Sequence, residues 1–360
     1  MRVLVISFYY PPDLGPAALR AKSIKVALEE IGGPRCTVEL LTTFPHRYAT
    51  VRSLSTMLDI SDVSIKRIKV PKHNNGILDQ SISFLFFLIL VIKTVRTQKY
   101  DVVFVTSSKL MTASAGVLIS RLTGAKLILD IRDLFCEVLK TLYPKYLLFF
   151  CLPVFKLLER FTFRASDSIN VVSPGFIEYV RNIAPEVPLT CVPNGIDQEF
   201  LEYNFQKPIK SPKPIVLYAG NIGDGQRLDG ILPEVAKSLE KFYEFIAIGS
   251  GGRIRNLEEE VKRLHVSNLK ILEPVERKNL FELYRHVDIL FLHLNSGAAF
   301  EDVLPSKIFE YAATGKPIIA GVNGEARKFL QAEVVDGVWV FDPFDRASMI
   351  RSLADADVNS

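Results

Sequence analysis

One stretch of the sequence, from Glu301 to Gly321, combines residue types that could bind a phosphate and sugar hydroxyl groups. Pro305 is a good first residue for a helix, and a helix start offers free backbone N–H groups and a partial positive charge to an anion. Lys307 lies in the first predicted turn, and Glu310 follows three residues later on the same helix face. The stretch therefore predicts either a site for a nucleotide diphosphate with its ribose or an ordinary Lys/Glu pair on a surface helix.

Two glycine-rich turns follow predicted strands in the second half of the chain, within residues 217–230 and 246–252. Glycine lets a backbone approach a bound molecule closely, because there is no Cβ in the way. Such turns are also common where no ligand binds, so glycines alone are weak evidence for a site. The two turns become candidates for a ligand site because they occur together with the stretch around Lys307.

Residues 305–318 resemble the nucleotide-sugar motif of the GT-B glycosyltransferases of family 4, a retaining family, and most closely its branch that builds bacterial surface polysaccharides such as O-antigen, capsule and lipopolysaccharide. In that family two Glu residues with seven residues between them mark the donor site. The second falls on Glu310, which the resemblance implies binds ribose hydroxyls. The first falls on Asp302, a shorter carboxylate next to Glu301, and either of these two could act near the donor sugar. Pro305 and Ser306, at the helix start, are implied to contact the donor.

The resemblance gives the first glycine-rich turn a role in phosphate binding. In the family this turn carries an Arg and a Lys that hold the diphosphate. Here Asn221 stands in place of the Arg, and Gln226 and Arg227 lie near the position of the Lys. Gly223 is implied to lie beside the donor. Arg227 and Lys307 are therefore the cations that we expect to neutralise the leaving diphosphate.

Two further segments are similar to nucleotide-contacting parts of the family. Gly249, Ser250 and Gly251 resemble a Gly-x-Gly turn whose small residues leave room for the nucleotide. Pro274 and Val275 resemble a segment whose backbone pairs with the base. The charged residues that follow, Glu276 and Arg277, are expected to be solvated loop charges.

In the first half of the chain, Gly15 opens the first predicted helix and could approach the donor phosphate or the acceptor. Arg132 and Asp133 follow a predicted buried strand and resemble a His-Asp segment of the family, which often has Arg-Asp in the polysaccharide branch. The pair is either a helix cap or, at the carboxyl end of a strand, a pair that faces a cleft and orients the acceptor or the transferred sugar.

Composition limits the class of protein. A chain of 360 residues with 48% hydrophobic and 23% charged residues is a globular protein long enough for two domains. A net charge of +4 with dispersed Lys and Arg does not imply nucleic acid as a partner. Four cysteines without metal-ligand spacing predict reduced thiols, and the N-terminus predicts a strand instead of a signal peptide. A cytoplasmic location is therefore expected.

Two apolar stretches, residues 82–92 and 146–158, are each shorter than the about 20 residues that span a bilayer. They predict either buried helices or helices that rest on an anionic membrane face, because basic residues follow both. In the second case the protein is peripheral on the cytoplasmic face of the inner membrane.

Apolar runs alternate with helical patterns along the whole chain, which predicts α/β units with parallel sheets. With the resemblance, this implies a GT-B fold of two Rossmann-like domains that face each other across a cleft. The expected divisions are an acceptor domain over 1–202, a Pro/Lys-rich linker over 203–213, a donor domain over 214–345 and a short terminal helix over 346–360.

The function expected from the resemblance is transfer of a hexosyl or N-acetylhexosaminyl group, with retention, from a nucleotide-sugar, most consistently a UDP-sugar, to a hydroxyl of a lipid-linked or growing glycan. No cofactor or metal is expected, because no Asp-x-Asp motif follows a strand of the donor region. Two alternatives stay open. One is a nucleotide-sugar 2-epimerase on the same scaffold, and the other is a non-catalytic donor-binding partner subunit, suggested by Asn221 and Asp302.

Overall fold

The computed structural model describes residues 1–13, 15–44, 62–71, 77–107, 109–206, 212–334 and 336–358. The chain divides into two compact units, Met1–Pro193 and Asn194–Ser360. The boundary therefore lies before Asn194 and not at the sequence-predicted linker over 203–213. The reason is aromatic packing, since Phe200 lies 4.8 Å from Phe205 and 5.0 Å from Phe281 between ring centroids, which ties this segment to the second unit. Residues 207–211 of the predicted linker lie outside the described residues.

Within the described part of the first unit, seven parallel strands form one sheet in the order β3-β2-β1-β4-β5-β6-β7. The strands are β1 (Arg2–Ser7), β2 (Thr37–Thr43), β3 (Ile65–Ile68), β4 (Val102–Ser107), β5 (Lys126–Ile131), β6 (Ser168–Val171) and β7 (Leu189–Cys191). The helices are α1 (Pro16–Gly32), α2 (Ile77–Val95), α3 (Leu110–Thr123), α4 (Phe135–Leu142), α5 (Lys145–Arg164) and α6 (Phe176–Ile183). The central strands are buried on both faces, as their apolar sequences require.

The described residues of the second unit form a six-stranded parallel sheet in the order β10-β9-β8-β11-β12-β13. The strands are β8 (Ile215–Asn221), β9 (Glu244–Ser250), β10 (Leu269–Leu272), β11 (Ile289–His293), β12 (Ile318–Gly321) and β13 (Val338–Phe341). The helices are α7 (Gln198–Glu202), α8 (Leu232–Ser238), α9 (Ile254–Arg263), α10 (Arg277–His286), α11 (Ala298–Glu301), α12 (Lys307–Ala313), α13 (Gly324–Glu333) and α14 (Arg346–Val358).

The last helix, α14, belongs to the core of the second unit. Met349, Leu353 and Ala356 are fully buried in the cluster that also holds Val216 and Phe291. The sequence predicts a short terminal helix from residue 346. In the structure this helix runs from Arg346 to Val358 and packs beside β12 and β13.

A buried polar cluster joins the carboxyl ends of strands in the first unit. The carboxylate of Asp130, which is fully buried, accepts two hydrogen bonds of 2.7 Å from Arg20 and one each of 2.7 Å from Thr106 and Asn170. The same guanidinium donates to the carbonyl oxygen of Pro193 at 3.0 Å. A buried charge is tolerated only when it is paired in this way. The cluster therefore fixes α1, three strands and the last residue of the first unit together.

We expect Asp130→Ala to destabilise the first unit by about 3–5 kcal/mol, because the largely buried Arg20 guanidinium loses its carboxylate. Urea unfolding followed by circular dichroism measures the loss. Lys140→Ala is the control: it breaks a partly exposed pair with Glu137 and should cost less than about 1 kcal/mol. Equal losses in the two variants would contradict a structural role for the cluster.

Candidate functional site

The stretch that the sequence predicts as a ligand site forms the start of α12. Ser306 is the residue before this helix, which begins at Lys307, so Pro305 precedes the helix and is not its first residue. The ammonium group of Lys307 donates to Glu310 Oε2 at 2.7 Å, which confirms that the two side chains share a helix face. Glu310 is 8% exposed. The pair therefore joins a buried carboxylate to a half-buried ammonium group and is not an ordinary surface pair.

Two residues of α10 complete the surroundings of this carboxylate. The Tyr284 hydroxyl donates to Glu310 Oε2 and accepts from the Lys307 ammonium, both at 3.3 Å. Arg277 Nη1 lies 3.6 Å from Glu310 Oε1, and Arg277 Nη2 lies 2.6 Å from the carboxylate of Asp197. The sequence-based expectation that Arg277 is a solvated loop charge is wrong. Its guanidinium instead links Glu310 to the segment that opens the second unit.

The charges in this cluster stabilise one another. Burial alone would raise the pKa of Glu310, but Lys307, Arg277 and the Tyr284 hydroxyl together lower the pKa below its usual value. Burial would lower the pKa of Lys307, yet the Glu310 carboxylate raises it above its usual value. Burial also raises the pKa of Tyr284, so its hydroxyl stays protonated and can donate. The site thus holds an ionised carboxylate that can accept hydrogen bonds from hydroxyl groups.

The first glycine-rich turn lies beside Lys307. A Cβ placed on Gly220, near the end of β8, would be 3.7 Å from Lys307 Cε and 3.1 Å from the hydroxyl of Tyr218. The Tyr218 hydroxyl donates to the carbonyl oxygen of Asn221 at 2.6 Å. The structure therefore brings together the two segments that the sequence predicts as one site, the turn after β8 and the start of α12.

The polar residues of this turn bond mainly to one another. The Asn221 amide donates to Gln226 Oε1 at 2.8 Å, across the turn. A Cβ on Gly223 would lie 2.5 Å from Asn221 Nδ2, so Gly223 makes room for this amide. Arg227 has a left-handed backbone conformation, φ 46°, and its Nε lies 3.7 Å from the Asp229 carboxylate. With 39% of its side chain exposed, Arg227 remains a candidate cation for a phosphate.

Arg253 and His293, which the sequence does not predict as site residues, hold the turn after β8 in place. Arg253 donates from Nε and Nη2 to Asp229 at 2.9 and 2.7 Å, and from Nη1 to Asp224 at 3.0 Å. The buried His293, at the end of β11, bonds through Nδ1 to the carbonyl oxygen of Gln226 at 2.6 Å. Burial lowers the pKa of His293 to about 4, so this anchor is neutral.

The glycines of the second turn do not leave open space, contrary to the expectation of room for a nucleotide. A Cβ on Gly249 would lie 1.7 Å from the carbonyl oxygen of Gly220, and one on Gly251 would lie 2.3 Å from that of Ile222. The backbone oxygen of Ser250 also accepts a 2.9 Å hydrogen bond from the Ile222 amide. Gly249 and Gly251 are therefore small because the two turns pack backbone against backbone.

The remaining candidates of the second unit lie on connecting segments. Glu301 is the exposed last residue of α11 and Asp302 follows it. A Cβ on Gly324 would lie 2.0 Å from the carbonyl oxygen of Glu301, so α13 begins directly against this loop. Pro274 and Val275 are half-buried between β10 and α10. The structure places Val275 against the same core cluster as Tyr284.

In the first unit the candidates gather at the edge where the strands end. Gly15, with φ 147°, precedes α1, and its carbonyl oxygen accepts from two amides of that helix. Arg132 and Asp133 directly follow β5. Helix α4 begins at Phe135 without a side-chain cap, so the pair is not a helix cap. Burial raises the pKa of Asp133 to about 6, although Arg132 opposes the rise.

A small cavity beside Asp133 contains a second carboxylate that the sequence analysis did not select. Glu159 lines the same cavity, is 1% exposed and accepts a 2.5 Å hydrogen bond from the Tyr179 hydroxyl. Burial raises the pKa of Glu159, while the hydrogen bonds from Tyr179 and Cys136 lower it. Its role is to join α4, α5 and α6, because its partners lie on those helices.

Two doubly wound units, each with a parallel sheet and with polar residues at the carboxyl edge of its strands, define the GT-B class of α/β proteins. Family models support the same class. The model described as glycosyl transferases group 1 matches residues 199–356, and the model described as glycosyl transferase 4-like domain matches residues 5–195. The chain belongs to this family of glycosyltransferases.

Individual relatives are distant. The chain is 28% identical over 110 residues to a protein described as the putative colanic acid biosynthesis glycosyl transferase WcaI of Escherichia coli K12. That match covers 31% of this chain and 27% of the relative's length. Among solved structures, WaaG, a glycosyltransferase involved in lipopolysaccharide biosynthesis, has a TM-score of 0.70 at 17% identity, over 98% of this chain and 90% of WaaG. Anabaena HepE in complex with UDP-glucose has a TM-score of 0.68 at 15% identity, over 100% of this chain and 90% of HepE. These similarities show the fold.

Gly249→Ala should destabilise the second unit by roughly 2–6 kcal/mol, because φ is 156° there and the new Cβ would overlap the backbone of Gly220. Trp339, in β13, reports unfolding of this unit by fluorescence. Gly252→Ala is the matched control, since a Cβ there meets nothing within 4 Å. Similar unfolding midpoints for both alanine variants would show that the turns are not packed as described.

Arg277→Ala should lower the stability of the second unit by about 1–3 kcal/mol, because Asp197 and Glu310 both lose a charged partner. Arg277→Lys should recover only part of the loss, since one ammonium group cannot replace a planar group that faces two carboxylates. Urea unfolding followed by Trp339 fluorescence measures both. Lys278→Ala, which removes an exposed cation from the same helix, is the control and should unfold like the wild type.

Proposed function

We propose that this glycosyltransferase moves a sugar, with retention of its anomeric configuration, from a UDP-sugar to a hydroxyl group of a lipid-linked or growing surface glycan. The observation that carries the proposal is the buried, ionised Glu310 carboxylate beside the ammonium group of Lys307 and the turn at Gly220. The similarity to WcaI, a putative glycosyl transferase of colanic acid biosynthesis, and to WaaG, a glycosyltransferase of lipopolysaccharide biosynthesis, supports a glycan acceptor. The complexes of HepE with UDP and UDP-glucose support the choice of nucleotide.

The ribose and the diphosphate of the donor each have a matching group in or beside this cluster. Glu310 is proposed to accept hydrogen bonds from the ribose hydroxyls, while Arg277 and Tyr284 keep it ionised. The Lys307 ammonium has three N–H groups, of which two donate to Glu310 and Tyr284. The third can donate to a phosphate oxygen. Arg227, in the turn after β8, is the proposed second cation for the diphosphate.

The proposed reaction breaks the bond between the anomeric carbon and the β-phosphate oxygen and forms a bond to the acceptor oxygen on the same face of the sugar. The acceptor hydroxyl gives its proton to the departing phosphate oxygen, so charges and atoms balance without an enzyme nucleophile. Negative charge grows on the diphosphate, and Lys307 with Arg227 stabilises that charge. This electrostatic role is one that a metal ion fills in other transferases, and we propose that it makes catalysis metal-independent here.

Asp133 and Arg132 are the proposed acceptor-side residues. Both follow β5 at the carboxyl edge of the first sheet, where Gly15 also lies. An Asp whose pKa is about 6 exchanges its proton readily near neutral pH and can orient a sugar hydroxyl. The role of the family's first Glu is assigned to Asp302 or to Glu301, which are the residue after α11 and the last residue of that helix.

Isothermal titration with UDP, GDP, ADP and CMP tests the donor site. We expect UDP to bind the wild type and Glu310→Gln to weaken UDP binding roughly 10- to 100-fold, because a charged acceptor of ribose hydrogen bonds is lost. Lys307→Met should lower turnover of a UDP-sugar roughly 100- to 1,000-fold, because the leaving diphosphate loses its cation. Glu240→Gln and Lys237→Met are matched controls, since they alter another Lys/Glu pair of the same unit, at the end of α8, and should leave both measurements unchanged.

Nucleotide titration and analysis of the products of turnover together separate the alternatives. GDP binding in place of UDP would keep the transferase and change its donor. Formation of a 2-epimeric sugar from UDP-N-acetylglucosamine without an acceptor would favour an epimerase. Tight UDP binding without turnover by any acceptor would favour a donor-binding partner subunit. If none of the nucleotides binds, the assignment of Glu310 to a donor site is wrong.

A further inference from the structure

Helix α5 carries a continuous apolar stripe on its exposed side. Tyr146, Phe149 and Phe150 are exposed by 75, 75 and 77%, and Val154 and Leu157 by 65 and 70%. The series from Tyr146 through Phe150 to Leu157 has intervals of three or four residues, which places it on one face of the helix, and Phe149 lies three residues after Tyr146 on that face. With Phe161 the stripe runs for four turns, about 22 Å at 1.5 Å per residue. Large apolar side chains exposed in such a row indicate a binding surface.

Two neighbouring helices extend this surface. Helix α2 exposes Leu85, Phe86 and Ile89, and α3 exposes Leu118 and Leu122. Helix α3 packs against both α2 and α5, so the three helices form one layer on the sheet. The Arg121 guanidinium of α3 lies 5.0 Å from the ring of Phe161 on α5, and Ser114 of α3 bonds Thr162 of α5 at 2.8 Å. We call the exposed side of α2, α3 and α5 the three-helix face.

Among the described side chains of α2, α3 and α5, the exposed charges are all positive. Among the side chains that the structure describes on these helices, the exposed charged residues are Lys93, Arg121, Lys156, Arg160 and Arg164. Glu159, the acidic residue among the described side chains of these helices, is 1% exposed and points into the unit. Four of the five basic residues lie in the last two turns of their helices. The three-helix face therefore consists of exposed apolar side chains together with these five basic residues, which we call the basic rim.

We propose that the three-helix face binds an anionic membrane surface, with the aromatic stripe of α5 in the acyl boundary and the basic rim among the lipid headgroups. Phe, Leu and Tyr next to Lys and Arg is the composition that binds such interfaces. No helix in the described part of the chain is long and apolar enough to cross a bilayer. The protein thus rests on the membrane through a surface of the first unit that is separate from the donor site.

Charge argues against a second copy of this chain as the occupant. A two-fold dimer through the three-helix face would place the face against itself. Lys156 and Arg160 would then approach other basic residues, because the described side chains of these helices offer no exposed carboxylate. An anionic lipid surface supplies the missing negative charge at every point of the rim. An anionic membrane therefore supplies both an apolar layer for the stripe and negative charge for the basic rim.

The position of the face also fits the proposed acceptor. Helices α2, α3 and α5 are followed in the chain by β4, β5 and β6, so each helix runs back along the sheet before the next parallel strand begins. The first turns of these helices therefore lie at the edge of the sheet where the strands end. Tyr146, Phe149 and Phe150 belong to the first turns of α5, and Asp133 lies at the same edge after β5. A membrane bound at this end would hold a lipid-linked acceptor close to Asp133. Only the statement about the acceptor rests on the proposed function.

Cosedimentation with vesicles tests the face. The full chain should bind phosphatidylcholine vesicles that contain phosphatidylglycerol and should bind pure phosphatidylcholine vesicles much more weakly. Phe149→Ser with Phe150→Ser should weaken binding roughly tenfold or more, because the inserted aromatic rings are lost. Lys156→Glu with Arg160→Glu should do the same and should remove the dependence on salt.

Matched variants in the second unit complete the test. Phe242→Ser replaces an aromatic side chain that is 63% exposed, and Lys262→Glu with Lys270→Glu reverses two exposed charges; both variants should bind vesicles like the wild type. Binding that is equal for charged and uncharged vesicles would overturn the proposal. A dimer in light scattering that Phe149→Ser with Phe150→Ser dissociates, without vesicle binding, would also overturn it. Vesicle binding needs no donor or acceptor, so its failure is distinct from failure of the transferase reaction.

Discussion

A carboxylate buried in a protein must be compensated, and the second unit is arranged around one such group. Glu310 retains its charge inside the unit because an ammonium group, a guanidinium group and a phenol hydroxyl surround it. These partners come from the first turn of α12 and from α10, and Arg277 extends the cluster to Asp197 near the start of the unit. A ligand with adjacent hydroxyls can use this charge without further cost of ionisation, because the protein has already compensated its burial.

The glycine-rich turns illustrate how one sequence motif can have two physical causes. A Gly-x-Gly turn is expected where a ligand approaches the backbone, but Gly249 and Gly251 are small because another backbone segment approaches them. Their close packing fixes the turn after β8, which Arg253 and His293 also hold from two sides. The rigidity of that turn then sets the position of Gly220 beside Lys307. Gly249 and Gly251 therefore affect the candidate site indirectly, because they allow the backbone packing that positions the turn after β8.

The sequence predicts the strands well because buried parallel strands are short apolar runs, as β1 and β12 are. It also predicts the Lys307–Glu310 pair, since residues three apart on a helix are neighbours. It does not predict Arg277, because the contact with Glu310 joins two separate helices and leaves no local pattern. The unit boundary is misplaced for a similar reason. Proline and lysine after Tyr203 indicate a linker, whereas the packing of Phe200 on Phe281 is a tertiary contact.

The two units divide the chemistry of the chain between them. In the second unit, polar groups are buried and mutually paired, which suits a small charged donor that must be held in one orientation. In the first unit, the carboxyl edge of the sheet carries Asp133, while the helices on one side of that sheet expose apolar side chains with a basic rim. The proposed acceptor, which is part lipid and part sugar, has the same two properties. The first unit thus offers a surface that fits the proposed amphipathic acceptor, as the charged cluster around Glu310 fits the proposed nucleotide donor.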